Sequence, residues 1–560
     1  MATDDDAAEL AEELLRLICE AEPLFPTIIG LPGYDDRLAD MSAGAEQRYR
    51  TALSGLADRA DEAATSTVDD GAALTATVMA QQARAQIDKI DARSVEYAIS
   101  DRLGSAVTEF LMLLPMITLA DSAAAENLLT RLRAVPEFLA KVTERHREGL
   151  AAGLTPVAHL VRDAVAQLDR YLANGPAALL AGQAVPADRP SFADERTAVL
   201  ADVVWPALRR YRDVLADEFV APGRPEDRAG LCWLPGGDGF YAGLVRAHTT
   251  TDRTPEELHR TGLDVMARVG EEFAELGQRV FGTGDLPTIF ARLRDDPALR
   301  WTDGEELLTA ARAAIERAEA RAPQWFGRVP QQRCRVEPVP EADGPGAPGA
   351  YYLMQSLDGS RPGTYFANTH KAQERARYTS EVTAFHEAVP GHHFQETLAM
   401  GLEDLPLLRR LADINAYAEG WGLYCERLAD EMGLYSDDVS RFGMLTMDSM
   451  RAGRLVVDTG LHAKGWSRQQ SIDYLTANTP MPVLEIASEV DRYMASPGQA
   501  LAYMVGRLEI ERIRAEAQRR LGDRFDIRAF HDRLLCDGPL PLSVLDRVLA
   551  GWAEGQLAAS

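Results

Sequence analysis

Leucine and isoleucine recur at three- and four-residue spacing along most of this chain. Leu10, Leu14, Leu15 and Ile18 form one such stripe, and Leu128, Leu129, Leu132, Val135 and Leu139 form another. That period puts apolar side chains on one face of an α-helix and predicts helices that bury the face. From about residue 7 to 215 the pattern is almost wholly helical, punctuated at Pro32-Gly33, Asn174-Gly175-Pro176 and Pro222-Gly223. A sharply signalled start follows. Thr254 stands as N-cap, Pro255 at the first helical position and Glu257 as the reciprocal partner of a capping box, with the amphipathic stretch running to about Phe281. Another helix is expected over 303–322. Strand-like residues occupy 332–339 and 350–355, on either side of a flexible linker at 341–349. Residues 361–368 read as a turn and a short strand. From 373 onward the helical pattern returns. The fold class is therefore mostly α with a small β-sheet at about 330–370. Residues 1–225 form an N-terminal helical scaffold or cover, and 226–560 form the region with the chemistry.

Composition narrows the function. A chain of 560 residues, 46% hydrophobic and 26% charged, can bury a large core. Its net charge of −27 repels phosphate backbones and anionic lipid, so no nucleic-acid or membrane partner is expected. Cys19, Cys232, Cys334, Cys425 and Cys536 are scattered and form no CxxC pair, which fits a reducing compartment. The start of the chain is acidic where a secretory signal would be basic and then apolar. The longest apolar run, 110–120, is too short to span a bilayer and contains Pro115. The expected location is cytoplasmic.

Of ten histidines, four fall between 370 and 393. Three belong to His386-Glu387-Ala388-Val389-Pro390-Gly391-His392-His393, an H-E-x-x-H zinc motif with two extra residues inserted. In the ordinary spacing, two imidazoles one turn apart bind Zn²⁺ and the glutamate acts as base. Here a straight helix would rotate His392 away from His386 and carry it about 9 Å along the axis. Pro390 forbids a straight helix, because its ring meets the carbonyl of His386, and Gly391 frees the backbone to turn His392 toward the metal. His393 is the rival second ligand, in phase but two turns away. Thr379 or Ser380 is the expected cap, with Val382, Phe385 and Val389 facing the core. The best third ligand is Glu419, in Ala418-Glu419-Gly420-Trp421-Gly422, where two helical glycines imply a close approach. Glu426 and Glu396 are the alternatives.

These residues carry a resemblance. The segments 386–395, 417–424, 454–462 and 497–503 closely resemble the bacterial family called domain of unknown function 885. More distantly they are similar to gluzincin peptidases such as angiotensin-converting enzyme and carboxypeptidase Taq. The resemblance implies a large helical zinc-peptidase-like fold with a central cleft, a zinc on its floor and a small sheet whose edge strand pairs with extended peptide. It implies His386, His392 and Glu419 as zinc ligands and Glu387 as base. It also points to Tyr503 and Tyr493 as donors to the developing oxyanion.

His462 is a further donor candidate, and Asp458 could orient a ligand histidine or pair with Arg454. Arg454, Arg492 and Arg507 suit a substrate carboxylate, and Tyr365, Phe366, Ala367 and Asn368 suit strand-like pairing with substrate. The function expected is a zinc-dependent hydrolase, a metallopeptidase acting on short or unfolded peptides. A catalytically inactive metal- or peptide-binding protein, or a zinc hydrolase of a non-peptide amide, are the alternatives. Glu387 favours catalysis, because a pure binder needs no base.

Overall fold

The structure is a computed structural model that describes residues 4–341, 344, 347–357, 359 and 361–558. Helices dominate from Asp4–Ala21 to Leu542–Ala558. The capping box forms as its sequence dictates: Glu257 N donates to Thr254 Oγ1 at 3.3 Å and Thr254 N donates to Glu257 Oε2 at 2.8 Å. Both bonds satisfy donors that the first turn would otherwise leave open. The helix they start spans Pro255–Phe281 and ends on left-handed Gly282. The helix expected at 303–322 spans Gly304–Arg321, capped by Asp303.

Three short strands form one sheet: β1 (Arg335–Pro338), β2 (Ala350–Leu353) and β3 (Thr364–Ala367). Their order is β1-β3-β2. β1 runs parallel to β3 with Arg335 opposite Thr364, and β2 runs antiparallel with Tyr352 opposite Tyr365. β3 is thus interior, with both edges taken. This corrects the expectation that 365–368 pair with substrate. Tyr365 and Ala367 are buried, and Asn368 Nδ2 lies within hydrogen-bonding distance of the carbonyl oxygens of Gly344, Ala347 and Pro348. Asn368 therefore secures the described part of the linker. Residues 342, 343, 345 and 346 of that linker lie outside the described residues.

The largest buried apolar cluster joins side chains between Leu10 and Ala98 to side chains between Leu231 and Leu549. A second, between Ile99 and Phe219, belongs mainly to the helices of residues 106–219. The first cluster contains Val382, Phe385 and Val389, so the helix bearing His386 is anchored on the face its sequence predicts. No described helix is long and apolar enough to cross a membrane.

Candidate metal centre

The helix Ser380–Glu387 stops where the inserted residues begin. The Val389–Pro390 peptide is cis, and a new helix, His392–Met400, starts at the second histidine. Thr379 precedes the first helix without capping it, its hydroxyl donating instead to the Ala376 carbonyl at 3.0 Å. At Gly391 any Cβ would run into the carbonyl oxygen of His386. Glycine is required there by proximity rather than by an unusual φ. The break brings the imidazoles of His386 and His392 together, with ring centroids 4.8 Å apart and planes at 88°.

Glu419 enters from the helix Asn415–Glu431. Its Oε2 lies 3.5 Å from His386 Nε2 and 3.4 Å from His392 Nε2. Two donors each about 2.1 Å from a shared tetrahedral zinc stand roughly 3.4 Å apart, so these separations fit one ion. Glu419 Oε2 is also buried with no hydrogen-bond partner, the condition that a bound cation relieves. The residues fit zinc on chemistry and on spacing.

The glycines beside Glu419 allow this approach. A Cβ on Gly422 would sit 2.6 Å from His386 Cε1, and one on Gly420 would sit 2.5 Å from the Cα of Gly506. The first lets the imidazole lie on the helix backbone. The second lets Ala502–Leu521 pack backbone to backbone against the helix of Glu419.

The profile of the family described as bacterial protein of unknown function (DUF885) matches residues 23–549. The chain belongs to this family. A putative lipoprotein from Colwellia psychrerythraea is 25% identical, with a TM-score of 0.91 over 99% of this chain and 100% of that one. A putative lipoprotein of unknown function from Shewanella oneidensis is 15% identical, with a TM-score of 0.75 over 97% and 99%, a likeness of fold alone. No curated protein matches. Neither relative is described as a peptidase, so the gluzincin likeness rests on the motif residues themselves.

In this DUF885 chain the sequence alternatives separate. His393 is buried with both ring nitrogens engaged, Nδ1 with Tyr352 Oη at 3.1 Å and Nε2 with the Gln332 carbonyl at 3.0 Å. It braces β2 and does not join the donor cluster. Glu426, seven residues after Glu419 and hence on the same helical face, lies behind the donors. Its Oε1 accepts from His386 Nδ1 at 2.8 Å, which leaves Nε2 to face Glu419. Glu396 stays outside the cluster of donor atoms; burial raises its carboxyl to about 7. Burial also opposes charge on His386, but the carboxylates of Glu419 and Glu426 beside it outweigh this and raise the imidazole to about 10. The two imidazoles in turn hold the Glu419 carboxyl well below the usual carboxylate range, against its burial.

Glu387 is positioned by a group that sequence reasoning missed: Tyr352 N, on β2, donates to Glu387 Oε2 at 3.1 Å. No local signal in the sequence ties residue 352 to residue 387.

Four further expectations need correction. His462 is not a free donor, because its Nδ1 accepts from Leu231 N at 3.1 Å and its Nε2 donates to the Tyr493 carbonyl at 3.0 Å. Tyr493 is fully buried and donates its hydroxyl to Glu489 at 2.7 Å, so it is committed to packing. Arg507 is held by Asp448, which also binds Arg427, inside a buried ion-pair network. Asp458 neither orients a ligand nor pairs with Arg454; it accepts from Tyr241 Oη at 2.6 Å and Gly498 N at 3.1 Å.

Proposed function

We propose that this protein is a zinc-dependent hydrolase and, within that class, a metallopeptidase that cleaves short or unfolded peptides. The observation that carries this reading is the meeting of His386 Nε2, His392 Nε2 and Glu419 Oε2, all within 4.8 Å of one another. Two imidazoles and one carboxylate match a catalytic zinc site, which keeps a fourth position open. When bound, zinc supplies Lewis acidity to water and to a scissile carbonyl.

The chain's own residues do the rest. Glu387 takes a proton from the attacking water and delivers it to the leaving amine. The Tyr352 N–H fixes its carboxylate for that transfer. Substrate lies extended along the outward edge of β2. In an antiparallel strand the backbone groups alternate, and since Tyr352 N–H points away from β3, those of Ala350 share its direction. Tyr503 acts as second donor to the oxyanion: Arg492 Nη2 reaches its oxygen at 3.4 Å as a donor, so the hydroxyl keeps its own proton to give.

Protein purified without chelator should hold about one equivalent of zinc and hydrolyse members of a peptide library, losing turnover on metal removal. Glu387→Gln should keep the metal and lose about 10²- to 10⁴-fold in kcat. Absence of zinc, or undiminished turnover in that variant, would refute the reading.

A further inference from the structure

Close to the Glu419 helix lies a cluster with more positive charge than its neighbours neutralise. Arg454, 3% exposed, directs Nε and Nη2 to Glu489 Oε2 at 3.2 and 2.8 Å. Its Nη1 is buried with no hydrogen-bond partner. The same guanidinium lies over the Tyr503 ring, 4.5 Å from the centroid, and Arg451 approaches that ring at 5.7 Å. Arg492 donates from Nη2 to Gln499 Oε1 at 2.7 Å, and its Nη1 stands 3.6 Å from Glu489 Oε1. Among the described residues Glu489 is the one carboxylate in ion-pair contact with either Arg454 or Arg492. Two guanidinium charges thus share a single counter-charge, in a protein whose net charge is −27.

The cluster is tied to the donor site twice. Gln499 Nε2 donates to Asn415 Oδ1 at 3.1 Å, and Asn415 precedes Glu419 by one helical turn, about 6 Å. Gly506, one turn after Tyr503, packs against Gly420 beside Glu419.

A buried guanidinium N–H without an acceptor is costly, and a carboxylate is the acceptor whose geometry and charge suit it. We propose that Arg454 and Arg492 bind the C-terminal carboxylate of a peptide substrate, which makes the enzyme act from free carboxyl ends. The inference rests on the peptidase reading above. Extended peptide advances about 3.5 Å per residue, and the cluster reaches the Glu419 helix through Gln499 and Asn415, so the cut falls within a few residues of the carboxyl end.

The test uses a random tetrapeptide library made twice, as free acids and as C-terminal amides. Hydrolysis by zinc-loaded wild type is followed by mass spectrometry. Retention of each library on immobilised zinc-loaded Glu387→Gln protein is measured in parallel. The acids should be cleaved and retained about tenfold or more in preference to the amides. Arg492→Gln, a half-buried position, should raise KM for the acids and bring both ratios toward one. Arg454→Gln should do the same, but it strips a buried pair, so it is read only where its melting curve shows a folded protein. Acid-to-amide ratios near one in wild type, or ratios unchanged by Arg492→Gln, would overturn the proposal. Equal cleavage of the two libraries would do so while leaving the peptidase reading intact. Acid-selective retention without turnover would support the carboxylate site and refute the peptidase instead.

Discussion

The bond between His386 Nδ1 and Glu426 Oε1, 2.8 Å long, determines which nitrogen of that ring faces Glu419. A carboxylate behind a ligand imidazole fixes its tautomer and strengthens it as a donor. Glu426→Gln preserves shape but removes the charge, so it should weaken zinc binding by about 10- to 100-fold, measured by competition with a chromophoric chelator. Affinity equal to wild type would mean that this contact has no part in holding the metal. At this scale the sequence showed residue types well and their engagements poorly. His386, Glu387, His392 and Glu419 could be read because their spacing had to answer a geometric problem posed by Pro390. His462, Tyr493 and Arg507 could not be excluded in advance, because their partners are Leu231, Glu489 and Asp448, and no periodicity reveals such pairings.

Between residue and fold, the decisive element is the interrupted helix. Its two halves, Ser380–Glu387 and His392–Met400, are hinged at a point where backbone meets backbone. Gly391→Ala sets a Cβ against the His386 carbonyl, and neither side can yield without moving the helix end. Overpacking of this kind should cost about 2–3 kcal/mol and disperse the donors, so both thermal stability and zinc stoichiometry should fall. Gly422→Ala differs, because its Cβ meets the edge of an imidazole that can tilt. Its melting temperature should fall less, whereas zinc affinity should fall clearly. Equal effects on stability would show that the two glycines serve one purpose. The helices and strands were legible because period and breakers are local properties. The order β1-β3-β2 was not, since a parallel pairing of residues 335 and 364 leaves no trace in either segment. The substrate edge therefore moves from β3 to β2.

Across the whole molecule, several histidines outside the donor cluster are held neutral by burial. Burial lowers His146 to about 4, His462 to about 4 and His531 to about 3. The unfolded chain takes up these protons near pH 6.5, well before the folded one does, so acid favours unfolding. Stability should be undiminished by these groups above about pH 7 and fall progressively from about pH 6.5 toward 4. Thermal melts of the chelated protein across that range would show it, and His462→Gln should flatten part of the slope. An acid slope unchanged in His462→Gln would contradict this. The largest apolar core also has a practical consequence. Its residues come from the first hundred positions and from the region around the donors alike. Cloning only the segment after residue 225 would strip away one wall of that interior. It would yield sticky, misassembled material, and its silence in an assay would say nothing about whether the intact molecule cuts anything.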